Sequence, residues 1–455
     1  MGKKGGGICL NYLLEFFKGG HFMNLNGGRF LRKLGRVALV LLIMQWAVGI
    51  SFSHRGSDVA NCAEKIDWDQ RVDKLLETPK GDIVLTVVGD MIFNQEISDF
   101  KEPDYRNLYR IMQDAHIAYG NLEMSLNEKP ELQRGTYNYR RGRDFGWEIA
   151  KIGINLVSLA NNHQFDYGAE GLKDCIRILN QSGISYAGAG LSSVQARDPA
   201  RMQIYNTKFS LLSFFSPGFF HARDSGGPVI SIINAPSVLI EKEDGSAEVV
   251  RAPVESDVKA MEDAIIIAKR HTDILMVHFH LHWVPNIRVE GIPNKVPPNQ
   301  SLLIHKAIDA GADIIIGNGP HVLRGIEIYK GKPIFYSSGN FIYQWKTPTK
   351  VPSIVWSRDQ ESLSGCEGID RSLRGLDPRE ETETVLSRIV IRDKKINKIE
   401  MIPVILNVTG PRMGSPRLAG NKRGKEIIKC IKELSEPYET RIIYRDWYGV
   451  IEIDK

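Results

Sequence analysis

From residue 81 onward, short apolar runs rich in β-branched residues alternate with longer segments of mixed polarity. The segments carry apolar residues three or four positions apart on one helical face, as Leu172, Cys175, Ile176 and Leu179 do. This alternation is typical of βαβ units, so we expect an α/β fold with a largely parallel or mixed sheet and helices on both faces. The predicted strands are 83–88, 117–119, 154–159, 274–282, 313–316 and 333–336, and the predicted helices are 106–115, 144–152, 169–180, 257–270 and 301–310.

The remaining segments set the expected domain boundaries. Strands at 387–392 and 398–406 flank Asp393-Lys394-Lys395 and predict an antiparallel hairpin. Residues 54–80 are rich in charge and predict a linker, and the polar residues 356–384 predict an exposed insertion. We therefore expect one main domain at 81–410, followed by a C-terminal helix and tail at 411–455.

The N-terminal segment predicts export. A basic segment at 1–36 precedes an uncharged apolar run at 37–53, the pattern of a signal peptide or a transmembrane anchor. The positive-inside rule places the residues that follow outside the cytoplasm. We expect a single membrane anchor with an extracytoplasmic main domain, or a secreted domain if the segment is cleaved near Ala47-x-Gly49.

Composition narrows the function. The chain has 455 residues, of which 42% are hydrophobic and 25% charged, as in globular proteins. The net charge of +5 is mild and partly lies in the N-terminal segment, which argues against nucleic acid as a partner. The five cysteines are scattered and form no CxxC pair, so we expect free thiols.

Polar side chains follow five of the predicted strands. In open α/β sheets, ligands bind beyond the carboxyl ends of the strands, so these side chains are expected to converge on one pocket. They are Gly89-Asp90, Asn121-Leu122-Glu123, Asn161-Asn162-His163, the alternating His278, His280 and His282, and Asn318-Gly319-Pro320-His321.

This residue mixture favours a transition-metal centre. Asp, Glu, Asn and His together suit manganese, zinc or iron better than calcium, which prefers oxygen ligands alone. A shared carboxylate can hold two such ions roughly 3.5–4 Å apart and so activate water for attack on a phosphoryl or acyl centre. Each residue alone has a structural alternative: Asp90 as a helix cap, Glu123 as a solvated acid, the asparagines in a turn. Three histidines on one strand face are harder to explain by packing.

Four segments resemble the CapA family of capsule and poly-γ-glutamate biosynthesis proteins. They are GDMIF, NLEMSL, SLANNHQFDYGAEGL and AGADIIIGNGPHVLRGIEIYKGKPIFYSSGNFIY, and the resemblance covers roughly residues 81–410. It implies a domain of the calcineurin-like metallophosphoesterase type, with a β-sandwich-like α/β core and a metal site at the strand ends. It also implies a membrane anchor with this domain outside the cell.

The resemblance assigns roles to individual positions. It implies two divalent metal ions, with His163 as the general acid and Asn318 at a position where family members commonly have histidine. An asparagine oxygen binds zinc more weakly than imidazole does, so Asn318 would be a weakened ligand. The implied metal ligands are Asp90 for the first ion, Glu123 as the bridging acid, Asn162 for the second ion, His282 with His280 beside it, and His321.

Three functions remain open at this point. The first is an exported, membrane-anchored, metal-dependent hydrolase of the phosphoesterase type acting on an anionic surface polymer or its lipid-linked precursor. The second, motivated by Asn318, is a non-catalytic accessory subunit that binds the polymer or a membrane synthase. The third is a secreted phosphodiesterase unrelated to capsule.

Overall fold

The computed structural model describes residues 66–128, 143–217, 227–241, 247–281, 296–344 and 379–453. The predicted apolar run at 37–53, His282 and most of the predicted insertion therefore lie outside the described residues. Within the ranges above, no helix has the length and apolar content needed to cross a membrane.

Helices and strands alternate along most of the described chain. The helices are α1 (Trp68–Leu76), α2 (Pro103–Asp114), α3 (Arg143–Lys151), α4 (Gly168–Gln181), α5 (Ser193–Arg197), α6 (Glu255–Lys269), α7 (Pro298–Asp309) and α8 (Asn421–Ser435). The strands are β1 (Ile83–Ile92), β2 (Ile117–Leu122), β3 (Leu156–Ser158), β4 (Ser185–Ala187), β5 (Ala189–Gly190), β6 (Ala200–Ile204), β7 (Thr207–Ser216), β8 (Val229–Ile230), β9 (Ser237–Glu241), β10 (Ala247–Arg251), β11 (Ile274–Leu281), β12 (Ile314–Asn318), β13 (Ile326–Tyr329), β14 (Lys332–Phe335), β15 (Asn340–Tyr343), β16 (Glu383–Arg392), β17 (Lys395–Leu406), β18 (Pro416–Leu418), β19 (Ile443–Arg445) and β20 (Tyr448–Glu452).

Two large mixed sheets form the centre of the fold. The first has the order β19-β20-β17-β16-β1-β2-β3-β4, with β15 added beside β1 and β18 beside β17. The second has the order β13-β14-β12-β11-β7-β6. In the first sheet β1 to β4 run parallel, whereas β16, β17 and β20 pair antiparallel. In the second sheet β7, β11, β12 and β14 are parallel.

The two sheets pack face to face. Leu85 of β1 and Met276 of β11 belong to one buried cluster between them. Val87 of β1 belongs to this same cluster. Val88, the next residue of β1, belongs to a second cluster under α1 to α4, and Val277 of β11 belongs to a third cluster under α6 and α7. Alternate strand positions thus face opposite layers, as the strand period of two requires. The result is a helix–sheet–sheet–helix arrangement.

The mixed α/β class is confirmed, but the arrangement of the sheets differs from the expectation. The sequence pattern predicted one sheet with helices on both faces. Each observed sheet instead has helices on its outer face and the other sheet on its inner face. A strand that is buried on both faces is uniformly apolar whether helices or a second sheet cover it. The apolar pattern therefore does not distinguish a covering sheet from a covering helix.

Two of the segments bounded from the sequence contain elements that were not predicted there. The segment predicted as a linker contains α1, whose Trp68 packs edge-on against Trp447 at 5.4 Å between ring centroids. The predicted C-terminal tail contains β19 and β20, and β20 extends the first sheet by pairing with β17. The hairpin of β16 and β17 is confirmed, and its turn residues Asp393 and Lys394 both have positive φ, as a tight hairpin requires.

Candidate metal centre

The carboxyl ends of strands from both sheets meet at one place. Asp90 of β1 and Glu123 just after β2 come from the first sheet, whereas His280 of β11 comes from the second. Ligand atoms of these three side chains all lie within 4.8 Å of one another. The sequence-based expectation that the strand ends would converge therefore agrees with the structure, although the ends belong to two sheets.

The first sheet contributes two buried carboxylates. Asp90 and Glu123 are both 0% exposed. Backbone hydrogen bonds fix both positions: the Asp90 amide donates to the Gly339 carbonyl at 2.9 Å, and the Glu123 amide donates to the Met91 carbonyl at 3.1 Å. Both oxygens of Glu123 and Oδ2 of Asp90 make no hydrogen bond within the described chain. Imidazole nitrogens lie 3.1 Å from Asp90 Oδ2 and 3.4 Å from Glu123 Oε1.

His321 lies beside both carboxylates. Its Nδ1 is 3.1 Å from Asp90 Oδ2, and its Nε2 is 3.7 Å from Glu123 Oε1. Its backbone has φ +61°, in the left-handed region that few non-glycine residues adopt. Such strain persists only where the surrounding structure imposes it, and it concentrates at functional sites.

His280 is the second imidazole beside Glu123. Its Nε2 is 3.0 Å from Asn162 Oδ1 and 3.4 Å from Glu123 Oε1, and its Nδ1 is 3.1 Å from Asn121 Nδ2. His278, two residues earlier on the same strand face, is directed deeper between the sheets, where its Nδ1 bonds Ser213 Oγ at 2.8 Å. Burial and the neighbouring His280 lower the pKa of His278 well below its usual value, so that ring is neutral.

His163 pairs with an aspartate from the same loop. Its Nδ1 is 2.8 Å from Asp166 Oδ2. Burial alone would lower the pKa of His163, but the adjacent Asp166 carboxylate raises it above the usual value. The Asp166 carboxylate thus favours the protonated ring, which is the form that a general acid requires.

The charges at the centre perturb one another. Burial would lower the pKa of His321, but Glu123 and Asp90 together raise it to about 10. Burial acts to raise the pKa of Glu123, yet His321 and His280 hold it below its usual range. Burial and the negative charge of Glu123 raise the pKa of Asp90. Glu123 is thus ionised, whereas the ionisation of Asp90 is disfavoured. The imidazole of His321, which lies beside both, carries an additional proton.

Asn318 is the last residue of β12, beside the strand that carries His280. It is 0% exposed and pairs in register with His280 across β11 and β12. Its side-chain oxygen and nitrogen, like Nε2 of His278, make no hydrogen bond within the described residues. Asn318 is nevertheless close enough to His278 to favour protonation of that ring.

The residues present fit a divalent cation. Burying an ionised carboxylate is costly unless a counter-charge or hydrogen bonds compensate it. Here three buried carboxylate oxygens make no hydrogen bond within the part of the chain that the structure describes, and two imidazoles border them. Carboxylate, amide oxygen and imidazole are the donor types of manganese, zinc and iron sites.

Sequence reasoning placed most of these residues but gave no role to several of their partners. Asn121 and Asn161 were within the recognised strand ends, and Asp166 was within the recognised NNHxxDxG segment. Asn340 lies at the start of the short strand β15, which was not predicted. The separation of His163 and Asp166 by three residues was the one local signal that could have paired them. His282 and its neighbour Trp283 lie outside the described residues.

The comparisons with known proteins identify the family. Residues 81–344 match the family described as bacterial capsule synthesis protein PGA_cap. The chain belongs to this family. The CapA resemblance read from the sequence is confirmed by this match and by relatives of the same description.

Individual members and one solved structure are similar to this PGA_cap chain to different extents. Uncharacterized protein y4sH of Sinorhizobium fredii is 27% identical over 433 residues, covering 81% of this chain and 93% of that protein. Capsule biosynthesis protein CapA of Bacillus anthracis is 27% identical over 304 residues, covering 63% and 67%. The crystal structure of a candidate 5'-nucleotidase from Staphylococcus aureus in complex with alpha-ketoglutarate has a TM-score of 0.36 and 14% identity, covering 77% and 58%. Similarity as low as this last value supports no inference.

Proposed function

We propose that this PGA_cap chain is a membrane-anchored, extracytoplasmic, metal-dependent hydrolase of the phosphoesterase type. Its substrate would be an anionic surface polymer of the capsule or poly-γ-glutamate kind, or the lipid-linked precursor of one. Family membership and the Bacillus anthracis relative support the link to capsule. The basic segment and the apolar run at 37–53 support the anchor and the location.

One observation carries the hydrolase part of the proposal. Asp90 and Glu123 are fully buried, and three of their four carboxylate oxygens make no hydrogen bond in the described chain. Protein folding tolerates such a pair when a cation compensates its charge. In the metal-free chain the protonated His321 supplies one positive charge for two carboxylates, and a divalent metal centre would compensate both.

Each residue then has a task. When bound, divalent ions would activate a water for attack and neutralise charge that develops on the scissile group. Asp90, Glu123, Asn162 and His321 would hold two such ions, of manganese, zinc or iron. His163, kept protonated beside Asp166, would donate its proton to the leaving group.

Asn318 favours a second candidate function. Because this asparagine stands where family members commonly have histidine, one metal position would be weakened. The protein would then act as an accessory subunit that binds the polymer or a membrane synthase without turnover. The two functions differ in metal content, which makes metal content the decisive measurement.

The test is the metal content of the full chain, purified without chelators and measured by plasma mass spectrometry. The informative pair of variants is Asp90→Asn and Asp313→Asn. Asp313 is also buried but is paired with Lys269 and Lys332, so it serves as the matched control. We expect about two transition-metal ions per chain in the native protein and in Asp313→Asn, with loss in Asp90→Asn.

The same preparations should hydrolyse a generic aryl phosphodiester only when they contain metal. A native chain without metal or turnover would sink the hydrolase proposal. Capture of a synthase from membranes by that metal-free protein would then establish the accessory function. Turnover with no capsule defect in a deletion strain would instead support the phosphodiesterase unrelated to capsule.

A further inference from the structure

The two histidines that border Glu123 differ in their hydrogen-bond partners, and the difference starts at Asn161. The Asn161 side chain donates from Nδ2 to the Leu122 carbonyl at 2.9 Å and accepts at Oδ1 from the His163 amide at 3.1 Å. A backbone carbonyl only accepts and a backbone amide only donates. These two backbone groups therefore determine which atom of the Asn161 side-chain amide is the oxygen and which is the nitrogen.

Asn161 fixes the orientation of Asn121. Asn161 Nδ2 also donates to Asn121 Oδ1 at 3.1 Å, so the oxygen of Asn121 must face Asn161. The nitrogen of Asn121 then faces the other way, 2.8 Å from Asp90 Oδ1 and 3.1 Å from His280 Nδ1. Its two hydrogens are donated to these two atoms.

Asn121 in turn fixes the tautomer of His280. A ring nitrogen that accepts a hydrogen bond from Asn121 carries no proton, so the proton of the neutral ring resides on Nε2. That nitrogen is 3.0 Å from Asn162 Oδ1 and 3.4 Å from Glu123 Oε1, and both of these atoms are acceptors. A protonated ring nitrogen has no lone pair to offer a metal ion.

His321 has the opposite arrangement. Asn340 Nδ2 donates to two backbone carbonyls, those of His321 and Glu381, at 3.0 Å each. Asn340 Oδ1 must therefore accept, and it does so from His321 Nδ1 at 2.9 Å. In the neutral ring the proton therefore resides on Nδ1, and Nε2, which is 3.7 Å from Glu123 Oε1, is the atom able to bind a cation. Ligating histidines ordinarily donate their second ring N–H in this way.

We infer that His321 supplies an imidazole ligand of the centre and that His280 is a positioning residue. Its Nε2–H would orient the Glu123 carboxylate and the Asn162 amide oxygen toward the ion. Distance alone groups His280 with Asp90 and Glu123 as ligands. The hydrogen bonds assign it a different role. The inference about ligation rests on the metal site proposed above, whereas the tautomer of His280 does not.

Nitrogen NMR of the full chain labelled with ¹⁵N-histidine tests both parts. In the metal-free protein we expect His280 to show a protonated Nε2 and an unprotonated Nδ1, assigned by the signals that disappear in His280→Gln. On addition of ¹¹³Cd²⁺ alone, we expect a cadmium–nitrogen coupling at His321 Nε2 and none at His280. A proton on Nδ1 of His280, or a cadmium coupling to His280, overturns the inference.

The two proposals can fail separately. If cadmium does not bind at all, the proposed metal function fails, and the tautomer of His280 in the metal-free protein still decides the role of that residue.

Matched glutamine variants add a second readout, because a glutamine amide can donate but cannot replace an imidazole ligand. We expect cadmium affinity to fall by more than about tenfold in His321→Gln and by less than about tenfold in His280→Gln. The reverse order overturns the inference.

Discussion

Two fully buried glutamates of this protein differ in how their negative charge is compensated. Glu148 accepts hydrogen bonds from the Ile97 amide at 2.6 Å, the Ser98 amide at 2.6 Å and Ser98 Oγ at 2.7 Å. Within the described residues, neither oxygen of Glu123 has such a hydrogen bond, and His280 Nε2 lies 3.4 Å from its Oε1. Hydrogen bonds explain the burial of Glu148, whereas that of Glu123 depends on the charges around the proposed centre.

Isosteric variants of these two residues should therefore have opposite effects. Glu123→Gln should weaken Mn²⁺ binding by at least about tenfold, because it removes a ligand charge. Glu148→Gln should leave Mn²⁺ binding unchanged but lower the free energy of unfolding by about 2 kcal/mol, since it weakens hydrogen bonds to a buried charge. Calorimetric titration and urea unfolding measure the two quantities. Equal Mn²⁺ affinities in the two variants would contradict the assignment of Glu123.

The raised pKa of His321 predicts a specific pH dependence. Glu123 and Asp90 raise this pKa to about 10 in the metal-free fold, compared with about 6.5 in the unfolded chain. Because the folded pKa is the higher, the stability contributed by His321 is fully present below about pH 6.5 and is lost as the pH rises toward 10. The free energy of unfolding of the metal-free protein should decrease over this range.

Metal binding should show the opposite trend over the same range. A cation must displace the proton from His321, so Mn²⁺ affinity should rise with pH, by up to about tenfold per unit. Unfolding and titration at pH 6.5, 7.5 and 8.5 provide the measurement. The His321→Gln variant is the control and should show a much flatter dependence of both quantities. A native affinity that does not change with pH would rule out His321 as a ligand that must first lose a proton.

Among the secondary-structure elements, α1 is the one whose role differs most from the sequence-based prediction. Trp68, Val72 and Leu75 are buried on one face of this helix and belong to the same cluster as the outer face of the first sheet. Trp68→Ala should lower the free energy of unfolding by about 3–5 kcal/mol, because it leaves a cavity against Trp447. Gln70→Ala, on the exposed face of α1, should change it by less than about 0.5 kcal/mol. Urea unfolding compares the two, and similar values would show that α1 contributes little to the core.

The prediction of elements from sequence was most accurate for β11, which was predicted to within one residue at each end. The strands β1 and β16 were each predicted four residues too short at one end, and the buried strand β7 was not predicted. Strands of two or three residues, such as β4 and β5, were missed because they are too short for a period of two to be recognised. The apolar residues of α1 do recur at helical spacing, but the charged residues between them favoured a linker.

Prediction of the centre from sequence had a different limit. Asp90, Glu123 and His321 could be located because each follows a recognisable strand. The tautomers of His280 and His321 depend on amides of Asn121 and Asn340 that are oriented by the backbone of distant segments. Such three-dimensional relations have no signature in the spacing of residues. Residue types at strand ends therefore predict a metal site, but not the role of each histidine.

For the whole molecule, the main consequence of the fold is that the two sheets share one centre. Asp90 and Glu123 belong to the first sheet, and His280 and Asn318 to the second. Between them the sheets are otherwise held together by the apolar cluster that includes Leu85 and Met276. A cation bound at the common end would connect the two sheets through charged ligands as well as apolar contacts.

Metal binding should therefore stabilise both sheets together. With Mn²⁺ at about one hundred times its dissociation constant, the free energy of unfolding should rise by about 2.7 kcal/mol. Hydrogen exchange measured by mass spectrometry should show slower exchange at the ends of β1 and β2 and also of β11 and β12. Amides of α8, which contributes none of the proposed ligands, provide an internal control for global effects, because they should slow only if opening of the whole domain limits their exchange. Slower exchange in the first sheet alone would mean that the ion does not connect the two sheets, and His321, which follows β12 of the second sheet, would then have to be removed from the proposed ligands.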